Sequence, residues 1–188
     1  MIEIKKYFQK LVDISEKDWN IFSSKLKKRE ISKKTTLLKL GEIENYLSFI
    51  EEGIVRFYIP REIEDFTFGF AFASNFVSAY DSFITQKPSN YQVETLSNTI
   101  LWSVSYKDLQ QIYNQTHVGN KIGRLASEEL FLKKSKRELS LLNESAEQRY
   151  LNLFLEQPHL LQHIPLKYIA SYIGITPQAL SRIRKRIS

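Results

Sequence analysis

The residues best suited to chemistry lie at the end of the chain. At helical spacing, one face of the segment Pro177–Ile187 carries four polar side chains, Gln178, Ser181, Arg182 and Lys185. Arginine and glutamine have forked hydrogen-bonding groups that match base edges in the major groove of DNA. From Ile164 onward there are five lysines or arginines and no acidic residue. This composition predicts attraction to phosphate groups.

The sequence around this polar face predicts two short helices joined by a tight turn, with the face on the second helix. Pro165 suits the start of the first helix, and apolar residues at helical spacing follow it. Gly174 predicts the turn, because glycine adopts a left-handed backbone without steric cost. Thr176 and Pro177 predict the second helix, since threonine caps a free N–H and proline is tolerated at the first helical position. The pattern is typical of a helix-turn-helix.

The predicted DNA-contacting set consists of the exposed face with its flanking and capping residues. The simpler alternative is a packed helical hairpin whose basic face is only solvated. The turn glycine and the lack of acids together favour DNA binding. The set is Lys167, Thr176, Pro177, Gln178, Ser181, Arg182, Arg184, Lys185 and Arg186.

Charge and composition narrow the class of protein. Residues 1–117 hold 15 basic and 15 acidic residues, whereas residues 118–188 hold 12 and 6 and supply the whole net charge of +6. The absence of cysteine excludes disulfides, thiolate-held iron–sulfur clusters and thiol catalysis. Neither a signal peptide nor an apolar run of membrane-spanning length is found, so we expect a cytoplasmic protein with no membrane partner.

A β-rich region extends from Thr35 to about Ser105. Short runs rich in β-branched and aromatic residues alternate with turn residues, which predicts a barrel or jelly roll. Within Phe66–Phe72 every second residue is phenylalanine, so four rings share one strand face. We expect these rings to fill the barrel core, and a ligand pocket is the alternative. The predicted strands are Thr35–Leu40, Tyr46–Ile50, Ile54–Ile59, Phe66–Phe72, Tyr91–Leu96 and Thr99–Val104.

Helices are predicted before and after the β-rich region. An amphipathic helix is expected over residues 16–28, although its end, Lys27-Lys28-Arg29, is interpreted as solvated surface. A short helix over Tyr106–Tyr113 and a long one from about Val118 to Leu142 follow. The long helix has apolar residues at coiled-coil intervals and is a candidate dimer interface. The predicted interface residues are Ile122, Leu125, Leu132 and Leu139.

Further predictions concern the segment between the long helix and the helix-turn-helix. Lys133, Lys134, Lys136 and Arg137 are expected to lie largely outside the dimer interface; solvated surface is the favoured role, and contact with phosphate is the alternative. Ser145 and Gln148 form a capping-box pattern that opens another helix, ending by Gln157-Pro158. The apolar residues of that helix, Leu151, Phe154 and Leu155, are predicted to pack against the helix-turn-helix.

One group of residues in the sequence has the composition of a metal site. Glu156, His159 and His163 have the spacing of metal ligands, but Pro158 and Pro165 interrupt a helix through all three and no fourth ligand is evident. No nucleophile elbow, phosphate loop or dinucleotide fingerprint is present. We therefore expect no metal, no cofactor and no enzymatic activity.

The order of these parts resembles the Crp/Fnr family of bacterial transcription regulators over essentially the whole chain. The resemblance rests on Gly41-Glu42, residues 46–58, the long helix and the terminal helix-turn-helix. It implies a cyclic-nucleotide-binding-type β-roll, a dimerisation helix and a DNA-binding domain of winged-helix type. Three further stretches resemble the cysteine-poor branch common in Bacteroidetes: Phe70–Phe72, Ser78–Phe83 and Ile175–Arg184.

Two departures from the family pattern limit what can be transferred. Relatives that bind cyclic AMP hold its phosphate with a Gly-Glu pair and an arginine, whereas Asn75–Gln92 has neither, and Lys87 is its only cation. We therefore expect no response to cyclic AMP. Pro177 stands where many relatives have a base-contacting arginine, so their operator does not apply. Because the sequence stops at Ser188, the wing is expected to be absent or truncated.

The sequence thus predicts an α+β protein with three parts. These are a β-roll sensor domain over residues 1–117, a dimerisation helix over 118–143 and a helix-turn-helix domain over 144–188. The predicted function is a homodimeric transcription regulator that binds double-stranded DNA, with RNA polymerase as a candidate partner and the identity of any effector left open. The alternative is a β-roll module that senses a small molecule or docks a protein without binding specific DNA.

Overall fold

Two four-stranded sheets form the β part of this α+β protein. The computed structural model describes residues 1–187, and Ser188, the last residue of the predicted domain 144–188, lies outside this range. The sheet orders are β1-β8-β3-β6 and β2-β7-β4-β5. The strands are β1 Lys27–Ile31, β2 Thr36–Leu38, β3 Tyr46–Glu52, β4 Ile54–Ile59, β5 Phe66–Phe72, β6 Phe76–Val77, β7 Gln92–Thr95 and β8 Thr99–Ser105.

Helices precede, interrupt and follow the strands. Three of them, α2, α4 and α6, begin after a serine whose hydroxyl accepts the N–H of the residue three positions on. The helices are α1 Ile2–Leu11, α2 Glu16–Ser23, α3 Tyr80–Thr85, α4 Tyr106–Gln115, α5 Gly119–Asn143, α6 Ala146–Glu156, α7 Pro158–His163, α8 Leu166–Tyr172 and α9 Pro177–Ile187. None of the helices within residues 1–187 is both long and apolar enough to cross a membrane.

The chain divides into two compact units. The first contains Met1–Tyr58 and Phe70–Glu128, and the second contains Ile59–Gly69 and the chain from Glu129 onward. Strand β5 and helix α5 therefore each contribute residues to both units. The predicted domains 1–117, 118–143 and 144–188 were each continuous in sequence, whereas each of the two units contains two separate stretches of the chain.

The first unit is held together by two apolar clusters. One lies between the sheets, where Ile50 and Leu101 of the first sheet pack with Val55 and Val93 of the second. The other fills the space between the first sheet and helices α1, α2 and α4, and it includes Phe49. Period-two burial along the strands and a helical stripe on each helix account for both clusters.

Asp18 fixes the start of α5 within the first unit. Its side chain is buried, and one carboxylate oxygen accepts the backbone N–H groups of His117 and Val118 at 3.1 and 3.3 Å. These groups lie just before the first residue of α5. Negative charge is favourable there, because the first N–H groups of a helix have no partner within the helix.

Two sequence-based expectations for the first unit are wrong. The amphipathic helix predicted over 16–28 ends at Ser23, and the charged run that follows forms β1, in which Lys28 pairs with Trp102 of β8. The four rings of β5 do not all fill the barrel core. Only Phe70 is buried, while the small residues Thr67 and Ala71 are also buried. Both faces of this strand are therefore partly covered.

The second unit has a helical core. Its buried apolar side chains come from all four helices that follow α5. The capping box at the start of α6 is confirmed, since Ser145 and Gln148 each bond the backbone N–H of the other. The buried apolar residues of these helices are Tyr150, Leu153, Leu160, Ile169, Ala170, Tyr172, Leu180 and Ile183, and Ile164 and Ile173, which follow α7 and α8, are buried as well.

The predicted packing of α6 is wrong by one helical position. Leu151, Phe154 and Leu155 were expected to face the terminal helices, but they are 41, 51 and 83% exposed. Tyr150 and Leu153 are buried in their place. Both sets have the spacing of a helical stripe, and the structure buries the set that includes the large aromatic Tyr150.

Candidate nucleic-acid interface

Helices α8 and α9 are joined by a turn that needs glycine. Gly174 has a φ of +80°, in the left-handed region. The N–H of Ile175 donates to the carbonyl of Ala170 at 3.0 Å, which closes the end of α8. The 6→1 spacing of this bond is the one seen in Schellman caps. Thr176 begins α9, because its hydroxyl accepts the N–H of Ala179 at 3.2 Å.

Helix α9 is amphipathic, and its apolar and polar sides are the ones that the sequence predicts. Leu180 and Ile183 are 1 and 6% exposed and lie on the inner side of the helix. Proline occupies its first position, and no acidic residue lies in its first turn. The outer side carries the four polar residues of the predicted DNA-contacting face, all of them exposed: Gln178, Ser181, Arg182 and Lys185.

Two arginines hold the end of α8 from neighbouring helices. Arg137 on α5 donates to the carbonyl oxygen of Tyr172 at 2.6 Å, and its guanidinium lies 3.8 Å from the ring centroid of the same residue. Arg149 on α6 donates to the carbonyl oxygen of Ile173 at 2.9 Å. Cations are favourable at these C-terminal carbonyls. Burial lowers the pKa of Arg137, and the electrostatic interaction and side-chain hydrogen bond with Tyr172 oppose that effect.

A third set of contacts joins α8 to a segment that comes before α5 in the sequence. The buried hydroxyl of Ser171 donates to the carbonyl oxygen of Asp65 at 2.8 Å and accepts the N–H of Thr67 at 2.7 Å. Both partners lie in the segment Ile59–Gly69, which belongs to the second unit. Sequence reasoning missed these roles of Ser171, Arg137 and Arg149, because nothing in the pattern marks Ser171 as buried or the two arginines as partly buried.

Three further predicted DNA-contacting cations lie on α8 and α9. Arg184 is exposed. Arg186 is exposed too, but it forms an ion pair with Glu147 at 2.7 Å. On α8, the ammonium group of Lys167 lies 4.8 Å from the ring centroid of Tyr168. Arg186 and Lys167 therefore each have a partner within the protein.

The candidate metal ligands do not converge. Glu156 ends α6, whereas His159 and His163 belong to the separate helix α7. Glu156 instead binds the ammonium group of Lys136 at 2.8 Å. Within residues 1–187, no three histidine, cysteine, aspartate or glutamate side chains are grouped so that they could hold a metal ion.

The predicted dimer-interface residues differ in their surroundings. Ile122 and Leu125 are partly buried against the helical cluster of the first unit. Leu132 and Leu139 are 67 and 55% exposed. The C-terminal half of α5 therefore presents unpartnered leucines, whereas its N-terminal part is already packed.

A second candidate site lies in the first unit beside α3. A cavity of about 450 Å³ there is lined by apolar side chains such as Leu38 and Val93 and by the charged groups of Arg29 and Glu44. The Glu44 carboxylate accepts the N–H of Tyr46 at 2.9 Å and that of Ala79, just before α3, at 3.4 Å. Burial raises the pKa of Glu44, although these bonds and Arg29 act against the shift.

Comparison with known proteins shows what this region is similar to. Residues 28–116 match the cyclic nucleotide-binding domain family. The cavity, Glu44 and α3 all lie within the matched residues. No curated protein matches the chain in sequence.

Solved structures extend the likeness beyond the cyclic nucleotide-binding domain. A protein described as a Crp/Fnr-family transcriptional regulator from Eubacterium rectale has a TM-score of 0.73 at 15% identity, covering 93% of this chain and 84% of that chain. FixK2 from Bradyrhizobium japonicum gives 0.72 at 16% identity, with 86 and 84% covered. The c-di-GMP-responsive global regulator CLP from Xanthomonas campestris gives 0.69 at 17%, with 92 and 91% covered. The chain therefore has the fold of Crp/Fnr-type regulators.

Proposed function

We propose that this protein is a cytoplasmic, homodimeric transcription regulator of the Crp/Fnr type and not an enzyme. The observation that carries the proposal is the outer face of α9, on which Gln178, Ser181, Arg182 and Lys185 are exposed together and no acidic residue intervenes. Such a helix suits insertion into the major groove, where arginine and glutamine distinguish bases.

The contacts that hold α8 support this function. A helix that reads bases has to be fixed relative to its own domain, because base contacts need precise geometry. Arg137, Arg149 and Ser171 hold the last residues of α8 by hydrogen bonds from three different segments. The turn at Gly174 then sets the direction of α9.

We further propose that cyclic AMP is not the effector. The arginine that relatives use for the phosphate has no counterpart in Asn75–Gln92. At the start of α3, the Glu44 carboxylate already accepts the N–H of Ala79. An added phosphate would face a carboxylate there, and like charges at short range repel. Calorimetry with cyclic AMP is expected to show no heat of binding at micromolar concentration.

The DNA-binding function is tested by selecting sites from a random duplex library and measuring affinity across a salt series. We expect a partly palindromic site with half-sites about 34 Å apart and a steep loss of affinity with salt. Arg182→Ala should weaken the selected site by roughly 5- to 150-fold and relax specificity. Lys185→Ala should weaken all sequences more evenly.

Arg124→Ala is the matched control for the arginine substitution. Arg124 is an exposed arginine of the first unit, paired with Glu128 on the same helix, and its loss should leave DNA affinity unchanged. Failure of selected DNA to outcompete bulk DNA would contradict the proposal. The alternative would then be a sensor or docking module, which the cavity beside Glu44 favours, since its volume is in the range of small-molecule sites.

A further inference from the structure

An exposed apolar surface lies on α5 and α6 of the second unit. Its centre consists of leucines on the two helices, and Phe131 and Phe154, 70 and 51% exposed, flank it. Large apolar side chains grouped in this way are unusual on a monomer and mark interaction sites. The leucines are Leu132, Leu139, Leu142, Leu151 and Leu155, which together with the two phenylalanines we call the α5–α6 surface.

Hydrogen bonds show that α5 and α6 run side by side in opposite directions. Glu144, just after the end of α5, accepts from Asn152 at 3.1 Å. Near the other end of α6, Glu156 binds Lys136 in the middle of α5 at 2.8 Å. These contacts define the edge along which the two helices meet.

The rest of the second unit covers one side of this helix pair. Arg137 of α5 reaches α8 from that side, as does Arg149 of α6. At 100° per residue, Leu132 and Leu139 lie on the other side of the contact edge of α5 from Arg137. Leu151 and Leu155 likewise lie across the contact edge of α6 from the buried Leu153. The exposed leucines of both helices therefore face the same way.

We propose that the α5–α6 surface is covered by the same surface of a second copy of this chain. The proposal rests on the homodimer proposed above and extends its interface from α5 to α6. A dimer built on α5 alone would leave Leu155, at 83% exposure, in water. With α6 included, the contact consists of four helices, two from each copy. Two-fold symmetry then buries the same side chains of both copies.

Area and charge favour a second copy as the occupant. At about 200 Å² per fully exposed large side chain, the exposed fractions of the surface amount to roughly 800 Å², near what each partner contributes to a stable interface. Residues 129–156 contain five basic and five acidic residues, so no net charge opposes self-association. The same neutrality makes nucleic acid an unsuitable occupant.

Sedimentation equilibrium of the full chain tests the proposal. The double variant Leu151→Glu/Leu155→Glu should raise the dimer dissociation constant at least about tenfold, because two charges would be buried at the contact. Ile63→Glu is the matched control, since Ile63 is 99% exposed in the same unit, and it should dimerise like the wild type. A wild-type dissociation constant for the double variant would overturn the inference.

A second measurement does not depend on introducing charge. The chain has no cysteine, so Leu155→Cys provides a single thiol for alkylation by iodoacetamide. Its reaction should slow roughly tenfold as the protein concentration rises through the dimer dissociation constant, whereas the reaction of Ile63→Cys should not change. An alkylation rate of the Leu155→Cys variant that is independent of concentration would overturn the inference.

These outcomes separate the inference from the proposed function. If selected DNA is bound and the wild type dimerises, but the double variant dimerises equally well, only the role of α6 fails. If the thiol of the Leu155→Cys variant is protected while specific DNA is never bound, the interface stands and the regulator function fails. If the wild type stays monomeric at all concentrations, the inference is overturned. The regulator function is then tested separately by the affinity of the monomer for selected DNA.

Discussion

The guanidinium of Arg137 donates a hydrogen bond at 2.6 Å to the carbonyl oxygen of Tyr172, the last residue of α8. It also lies 3.8 Å from the centroid of the Tyr172 ring. One side chain of α5 thus holds both the backbone and the ring of the residue that ends α8. Because α5 also carries the exposed leucines of the α5–α6 surface, the helix proposed to bind the partner copy directly holds the helix pair proposed to bind DNA.

Replacing Arg137 should therefore destabilise the protein. Arg137→Met keeps most of the apolar stem but removes a charged donor, so we expect the free energy of unfolding to fall by about 2–3 kcal/mol in denaturant titration. Lys136→Met is the neighbouring control, because its ion pair with Glu156 is largely exposed. Its effect should stay within about 0.5 kcal/mol. Equal effects for the two variants would contradict a special role for Arg137.

Ser171 offers a more conservative test of how α8 is held. Ser171→Ala removes the hydrogen bonds to Asp65 and Thr67 with little change in volume. We expect a loss of about 1–3 kcal/mol, measured by thermal or denaturant unfolding. Ser181→Ala, on the exposed face of α9, should leave stability unchanged and instead lower DNA affinity. The opposite pattern would show that the two serines had been assigned the wrong roles.

The buried Asp18 leads to a prediction for the first unit. Asp18→Ala removes the acceptor of the His117 and Val118 N–H groups at the start of α5, so stability should fall by about 2–3 kcal/mol. Asp18→Asn keeps an acceptor oxygen and should lose less. Asp13→Ala, at an exposed position, is the control and should be nearly silent in the same unfolding assay.

Glu44 should make stability depend on pH in the opposite sense to most carboxylates. Burial raises the pKa of Glu44 above its ordinary value of 4.5. In the window from pH 4.5 upward the folded state therefore binds more protons at this group than the unfolded state, and this contribution to stability falls as pH rises. Glu44→Gln should lose less stability between pH 4.5 and 7 than the wild type. An identical pH profile for both proteins would contradict this assignment.

Local signals in the sequence predicted the helix boundaries of the second unit well. Gly174 adopts a left-handed backbone, Thr176 caps α9, and Ser145 and Gln148 form their capping box. Each of these features depends on residues within a few positions of one another. Chemistry of this kind can be seen in a sequence before any tertiary structure is known.

Features that depend on distant partners were not predictable. The run Lys27-Lys28-Arg29 reads as solvated surface, yet it becomes an edge strand because β8, more than 70 positions away, offers unpaired backbone groups. Arg137 likewise reads as one of four surface cations until α8 covers it. Which helical stripe of α6 is buried also depended on neighbours, since both stripes have suitable spacing.

The exposure of the polar face of α9 was predicted, but the contacts that hold α8 and α9 in place were not. The exposed face of α9 was found from spacing and charge alone. Ser171, Arg149 and Glu44 carried no signal, because a single polar residue in an ordinary context gives no indication of burial or of a backbone partner. Their roles become visible only where the chain brings together segments that are far apart in sequence.

A position can require glycine because there is no space for a side chain or because its φ is positive, and the space around Gly174 shows which reason applies there. At Gly53 an added methyl group would lie 2.3 Å from the Thr99 hydroxyl oxygen, whereas at Gly174 the nearest atoms are 3.8 Å away. Gly174 is therefore required for its φ of +80° and not for lack of room. D-amino acids prefer that region of φ, whereas L-amino acids other than glycine avoid it. The turn before α9 therefore selects for the chirality of the residue at this position. D-alanine placed there by chemical ligation should be tolerated, whereas L-alanine should be strained.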